Sequence, residues 1–208
     1  MKKLLFLLLP LLTLVSCQEN INDGDSEFDN WEARNTAFFL QKTAEGRAAI
    51  AEAKENYGDD WAQHCNYRFF RKYLPSSTAK PTAYDSICVE ILEQGTGSGC
   101  PLATDYVTYK FLKRLIPSDS YAEGKVVDHS GLTVLWDDIF KSSHSAAVTR
   151  LANNNTIGET TAFMYMHIGD LWRVYVPAAL AYGATTTSTI PAYSVLVVDL
   201  KLNSYKHP

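Results

Sequence analysis

The stretch that most constrains this chain lies near its end. Trp172, Val174 and Val176 alternate with Leu171, Arg173 and Tyr175, the period-two pattern of a half-buried strand. Before it stands Gly158 to His167, where Ala162, Phe163 and Met166 put apolar groups on one helical face, and Gly169 follows as a stop. After it come Pro177, the pair Tyr182-Gly183, and the step Ile190-Pro191-Ala192-Tyr193, leading into a last alternating strand from Val195 to Leu202. A short helix, a turn, a strand, a long loop and a strand bury their apolar faces by laying the helix on a sheet.

Further strands precede this unit. Ile87, Val89 and Ile91 alternate with Cys88, Glu90 and Leu92, and Gly95-Thr96-Gly97-Ser98-Gly99 reads as a mobile turn. Asp105 to Lys113 is rich in aromatic and branched residues. Pro117 to Gly124 is a loop, Val126-Val127 starts a short extended piece, and Ala147 to Leu151 offers another. These strands around one helix predict an α+β domain over residues 82–204.

The chain begins differently. Lys2 and Lys3 precede an apolar run from Leu4 to about Val15, too short for a stable membrane span and of the form of a secretory signal over residues 1–16. Cys17 directly follows Leu14-Val15-Ser16, which resembles the lipobox of bacterial lipoproteins; the resemblance implies lipidation at Cys17 and an envelope location. With Gln18 and not Asp after the cysteine, the same resemblance implies no retention at the inner membrane, hence the outer membrane, facing the periplasm or the surface. Residues 17–25 are polar and acidic and read as a lipidated tether.

Residues 26–81 read as a helical extension and a linker. Ser26 with Asp29 has the form of a capping pair. Trp31, Phe38 and Phe39 recur at helical spacing, as do Ala49, Ile50, Ala53 and Tyr57, and Gly46 is a candidate break into two helices. From Asp59 to Leu74 the pattern suits helix through Trp61, Cys65 and Phe69, or strand through Tyr67, Phe69 and Arg71. Pro75 to Pro81, rich in Ser and Thr, marks the boundary.

Composition narrows the chemistry. The 208 residues carry a formal charge of −4; cleavage before Cys17 removes Lys2 and Lys3, leaving 192 residues at −6. An acidic chain without a Lys/Arg cluster argues against nucleic acid as a partner. Cys65, Cys88 and Cys100 are an odd set, read as free or structural thiols, with one disulfide open to them in an oxidising envelope. His64, His129, His144, His167 and His207 have no paired metal spacing, and no Gly-x-Ser-x-Gly elbow or phosphate loop occurs. Neither cofactor nor metal is expected.

From about Tyr84 to Leu202, most closely after Gly158, the chain resembles FKBP-type peptidyl-prolyl isomerases. That resemblance implies an FKBP-like α+β fold, an antiparallel sheet wrapped around one short helix, here preceded by the helical N-terminal extension. It places Tyr182 where a hydroxyl holds a substrate carbonyl, Tyr109 at the pocket tyrosine and Asp128 at the pocket aspartate. Val127 takes the place of the pocket phenylalanine, Ile190 and Tyr193 that of the loop over the proline, and Val198 stands where a phenylalanine is frequent. Two positions depart from the family: Glu159 falls where it has a floor aromatic, and Asn155-Thr156 where it has a Val-Ile pair. A different register would put Ile157 or Phe163 on the floor.

Isomerisation about an X-Pro bond breaks no bond, so it needs no nucleophile. Its barrier is about 20 kcal/mol, and a water-poor pocket favours the twisted amide, which has lost its resonance. In such a pocket Asp128 would act on the polar rim, fixing Tyr109 or the substrate backbone. The resemblance thus implies an isomerase (rotamase) or folding helper for proline-containing segments of envelope proteins. The alternative is a non-catalytic chaperone or interaction lipoprotein on the same fold. The aromatic stripe of Trp31, Phe38 and Phe39 either packs on the chain's own domain or offers a homodimer surface.

Overall fold

The computed structural model describes residues 26–74, 82–131, 139–141 and 147–208. The signal segment, the tether with Cys17 and the Pro75–Pro81 linker lie outside the described residues.

The fold has an antiparallel sheet between two unequal helices. Helix α1 spans Trp31–Tyr57 and α2 spans Ile157–Phe163. The strands are β1 Tyr67–Arg71, β2 Ser86–Glu93, β3 Tyr106–Arg114, β4 Val126–His129, β5 Val148–Leu151, β6 Leu171–Val176 and β7 Leu196–Lys206. Their spatial order is β1-β2-β6-β7-β3-β4, with β5 pairing β3 beyond the end of β4. The expected α+β architecture, an antiparallel sheet with one short helix and a helical extension, is the observed one.

Two ladder rows show how the sheet sorts its faces. One runs Arg68–Val89–Val174–Val198–Lys113–Asp128 across six strands. Directly opposed residues share a face, and α2 lies on this one: Phe163 packs on Tyr109 with ring centroids 4.6 Å apart. The next row runs Phe69–Cys88–Tyr175–Val197–Arg114 on the opposite face. Helix α1 covers it, with Phe38 against Tyr175 at 6.0 Å and the Cys88 thiol donating to the Lys42 carbonyl at 3.7 Å.

Several expectations for the extension change. Helix α1 starts after Asn30, not at Ser26, whose segment Ser26–Phe28 is a short 3-10 turn. It also runs unbroken through Gly46. That glycine answers to packing, since a Cβ there would stand 2.9 Å from Tyr67 Cδ1 and 3.1 Å from Phe69 Cζ. The ambiguous 59–74 stretch splits between a 3-10 helix over Gly58–Gln63 and strand β1. Strand pairing decides for β1: β2 would otherwise be an open sheet edge. Trp31 and Phe39 are buried in the same core as the sheet, so the aromatic stripe packs on its own chain.

Two more corrections concern loops. The Gly95–Gly99 segment is not a mobile turn: Gly95 N–H donates to Asp170 Oδ1 at 2.6 Å and Gly97 N–H to the Ile168 carbonyl at 3.1 Å. A Cβ at Gly95 would come within 2.4 Å of that carbonyl oxygen, so only glycine fits. Helix α2 ends at Phe163, six residues before Gly169, which belongs to the following turn. Cys65, Cys88 and Cys100 all carry free thiols, so the open disulfide does not form among them.

Candidate functional site

The site is built on the α2 side of β3. Alternation from Tyr109 puts Phe111 and Lys113 on the same face, opposite Leu202, Leu200 and Val198 of β7. Beyond β3, Asp128 of β4 is the direct ladder partner of Lys113. Val198, Lys113 and Asp128 are therefore consecutive in one row, with α2 above it.

Helix α2 starts with a capping box. Thr156 Oγ accepts from the Glu159 N–H at 3.3 Å, while Glu159 Oε2 accepts from the Thr156 N–H at 3.3 Å and from its hydroxyl at 2.7 Å. This box turns Glu159 inward, to 1 % exposure, where Oε1 meets Lys113 Nζ at 3.1 Å. Glu159 is thus half of a buried ion pair, and Phe163 lies one helical turn on, against Tyr109. Burial acts to pull the Lys113 ammonium down, but the Glu159 carboxylate, then Tyr182 and Asp128, outweigh it and hold it above the ordinary lysine value.

The charges of this one ion pair bear on Tyr109 and interact with Asp128 and Tyr182, the three residues expected to be catalytic. Tyr109 is 1 % exposed, and burial, then the charge of Glu159, push its phenol above the usual tyrosine range. Its hydroxyl donates to Asn155 Oδ1 at 2.5 Å, not to Asp128. Asp128 is exposed and its carboxylate accepts from the His129 N–H at 2.9 Å, so the expected tie from Asp128 to Tyr109 is absent. Tyr182 is close enough to act on the Lys113 charge and remains 37 % exposed.

Val127 is half-buried and packed on the core. Val198 is fully buried and supports the face from below. Ile190 is buried, with its N–H donating to Thr187 Oγ at 2.9 Å. Tyr193 is 42 % exposed and holds a left-handed φ of 60°. Its N–H donates to the Gly183 carbonyl at 2.7 Å, which closes the loop from Tyr182 to Tyr193 into a compact flap. Tyr182 and Asp128 are thus open to solvent, Tyr193 lines a cavity against α1 with Glu32, Thr36 and Pro177, and Tyr109, Ile190 and Val198 are buried.

Sequence reasoning passed over two residues here. Lys113 carried a signal, being the one charged residue on the inward-facing alternation Tyr109, Phe111, Lys113. Asn155, noted only as a departure, is the partner of the Tyr109 hydroxyl. Among the described residues no group of His, Cys, Asp and Glu is arranged to hold a metal ion. The chemistry this face offers is recognition: an exposed phenol at Tyr182 and an exposed carboxylate at Asp128, with a buried ion pair behind them.

No family model matches the chain. The Macrophage infectivity potentiator of Trypanosoma cruzi is 28% identical over 171 residues, spanning 79% of this chain and 74% of that protein. A peptidyl-prolyl cis-trans isomerase from Pseudomonas syringae pv. tomato, 20% identical, aligns with 80% of this chain and 95% of its own at a TM-score of 0.47. FkpA from Escherichia coli, 21% identical, aligns with 87% of this chain and 70% of its own at a TM-score of 0.48.

Proposed function

We propose that this chain is an FKBP-type peptidyl-prolyl isomerase or folding helper acting on proline-containing segments of envelope proteins. One observation carries the reading. Tyr109 and Asp128, far apart in sequence, share the α2 face of the sheet with the Lys113–Glu159 pair, and Tyr182 is within range of the Lys113 charge. The Trypanosoma cruzi relative supports it from the sequence side.

In this reading the proline ring rests between the Tyr182–Tyr193 flap and the wall of Tyr109, Val127, Ile190 and Val198. The Tyr182 hydroxyl donates to the carbonyl of the residue before proline, and Asp128 sits on the rim. The twisted amide gains on the planar one because the wall excludes water from it.

The buried ion pair favours a second reading, a non-catalytic chaperone or interaction lipoprotein on the same fold. An ionic floor grips an apolar ring less well than an aromatic one does. Attachment is part of the same proposal: lipidation at Cys17 would hold the domain in the cell envelope through its tether. Among the described residues no helix is long and apolar enough to cross a membrane.

The test is a titration of isotope-labelled chain with an Ala-X-Pro-Phe-type peptide. Shifts concentrated at Tyr109–Lys113, Val127, Asp128 and Tyr182–Tyr193 support the site, with exchange cross-peaks between cis and trans peptide supporting the isomerase. Shifts elsewhere, or none, overturn it.

A further inference from the structure

The flap that carries Ile190 and Tyr193 is tied both to itself and to α1. Within the flap, Tyr193 N–H donates to the Gly183 carbonyl and Ile190 N–H to Thr187 Oγ. Directly after Tyr193 the partners come from α1. Trp31 Nε1–H donates to Ser194 Oγ at 2.9 Å, and Asn35 Oδ1 accepts from the Val195 N–H at 2.7 Å. All four residues are buried. The donors and acceptors are themselves oriented: Asn35 Nδ2 donates to the Trp31 carbonyl at 2.7 Å, and the Ser194 hydroxyl to the Pro191 carbonyl at 2.7 Å. Phe28 packs edge-on against the Trp31 ring at 5.1 Å.

We propose that α1 clamps this flap in its binding geometry, with Trp31 and Asn35 as positioning residues for proline recognition; the step rests on the isomerase reading above. Tyr193 stands immediately before the two clamped residues. A non-glycine residue at positive φ persists only where its surroundings fix it. The Val195 amide, deep in the core, has Asn35 as its partner, and losing a buried partner is costlier than never having had one. The extension thereby becomes part of the binding site although it touches the sheet from the opposite face.

The test uses the full chain in detergent micelles, with kcat and KM for the proline peptide from exchange spectroscopy and hydrogen exchange at the Val195 amide. Trp31→Phe keeps the ring and removes the donor; Asn35→Ala removes the acceptor. Each is expected to raise KM about fivefold to tenfold, the loss of one buried hydrogen bond. Each should leave kcat within about twofold, because affinity and not the chemical step has changed. Val195 exchange should quicken alongside. Ala53→Gly, which weakens α1 at a buried position far from the flap, should leave KM at the wild-type value. Unchanged KM in both clamp variants of an active protein overturns the proposal alone, as does an equal rise in Ala53→Gly. A wild type that neither binds nor isomerises the peptide removes the functional reading and the clamp with it.

Discussion

Lys113 Nζ lies 3.1 Å from Glu159 Oε1, and both side chains are buried between β3 and the first turn of α2. A buried pair of this kind is weak as a source of stability but severe when halved, because the survivor keeps its desolvation cost. Lys113→Met is expected to lower stability by about 3–5 kcal/mol, and Glu159→Gln by a comparable amount. The double variant Lys113→Leu/Glu159→Leu should recover most of that loss. Urea unfolding of the three proteins checks it; a double variant as unstable as the sum of the singles would contradict it.

Stability should fall in alkali. Burial, then Glu90, pushes the Cys88 thiol from 9.0 up to about 12. Burial, then Glu159 or Glu90, likewise raises the Tyr109 and Tyr175 phenols. In each the folded protein holds its proton more tightly than the unfolded chain. It therefore contributes stability that is complete below the unfolded value and lost as pH rises toward the folded one. The urea midpoint should decline from about pH 9 upward, and Cys88→Ala should decline less steeply. A midpoint that holds or rises over that window would contradict the assignment.

Gly46→Ala sets helix propensity against packing. Alanine improves an exposed helix by about 1 kcal/mol. Here the added methyl meets Tyr67 at 2.9 Å and Phe69 at 3.1 Å, and overpacking costs about 1–3 kcal/mol. A net loss of about 1 kcal/mol is expected, read from thermal or urea unfolding. A stabilised variant would mean that α1 rides higher over β1 than described.

The elements visible in the sequence were those whose signal is local. β2, β3, β6 and β7 alternate plainly, and their limits fall within a few residues of the expected ones. β1 was not decidable, because Tyr67–Arg71 carries apolar and charged residues on both faces and becomes a strand only through its pairing with β2. Gly46 misled because a glycine required by a neighbouring ring looks the same in sequence as one that ends a helix. In the site, the Lys113–Glu159 pair spans 46 positions of chain, and nothing local to either residue announces the other. The tie from Tyr109 went to Asn155 for the same reason: which of two polar neighbours is reached depends on where the turn before α2 stands over β3.

An isomerase centred on Tyr182 is read out by the cis–trans exchange rate of an Ala-X-Pro-Phe-type peptide, taken by exchange spectroscopy with wild-type chain and with Tyr182→Ala. The expected result is clear acceleration by wild type over the uncatalysed rate, which runs on a scale of tens of seconds, and a drop of about 10-fold or more in Tyr182→Ala as the carbonyl loses its donor. No acceleration by folded wild type, or full acceleration by the variant, would contradict a Tyr182-centred isomerase.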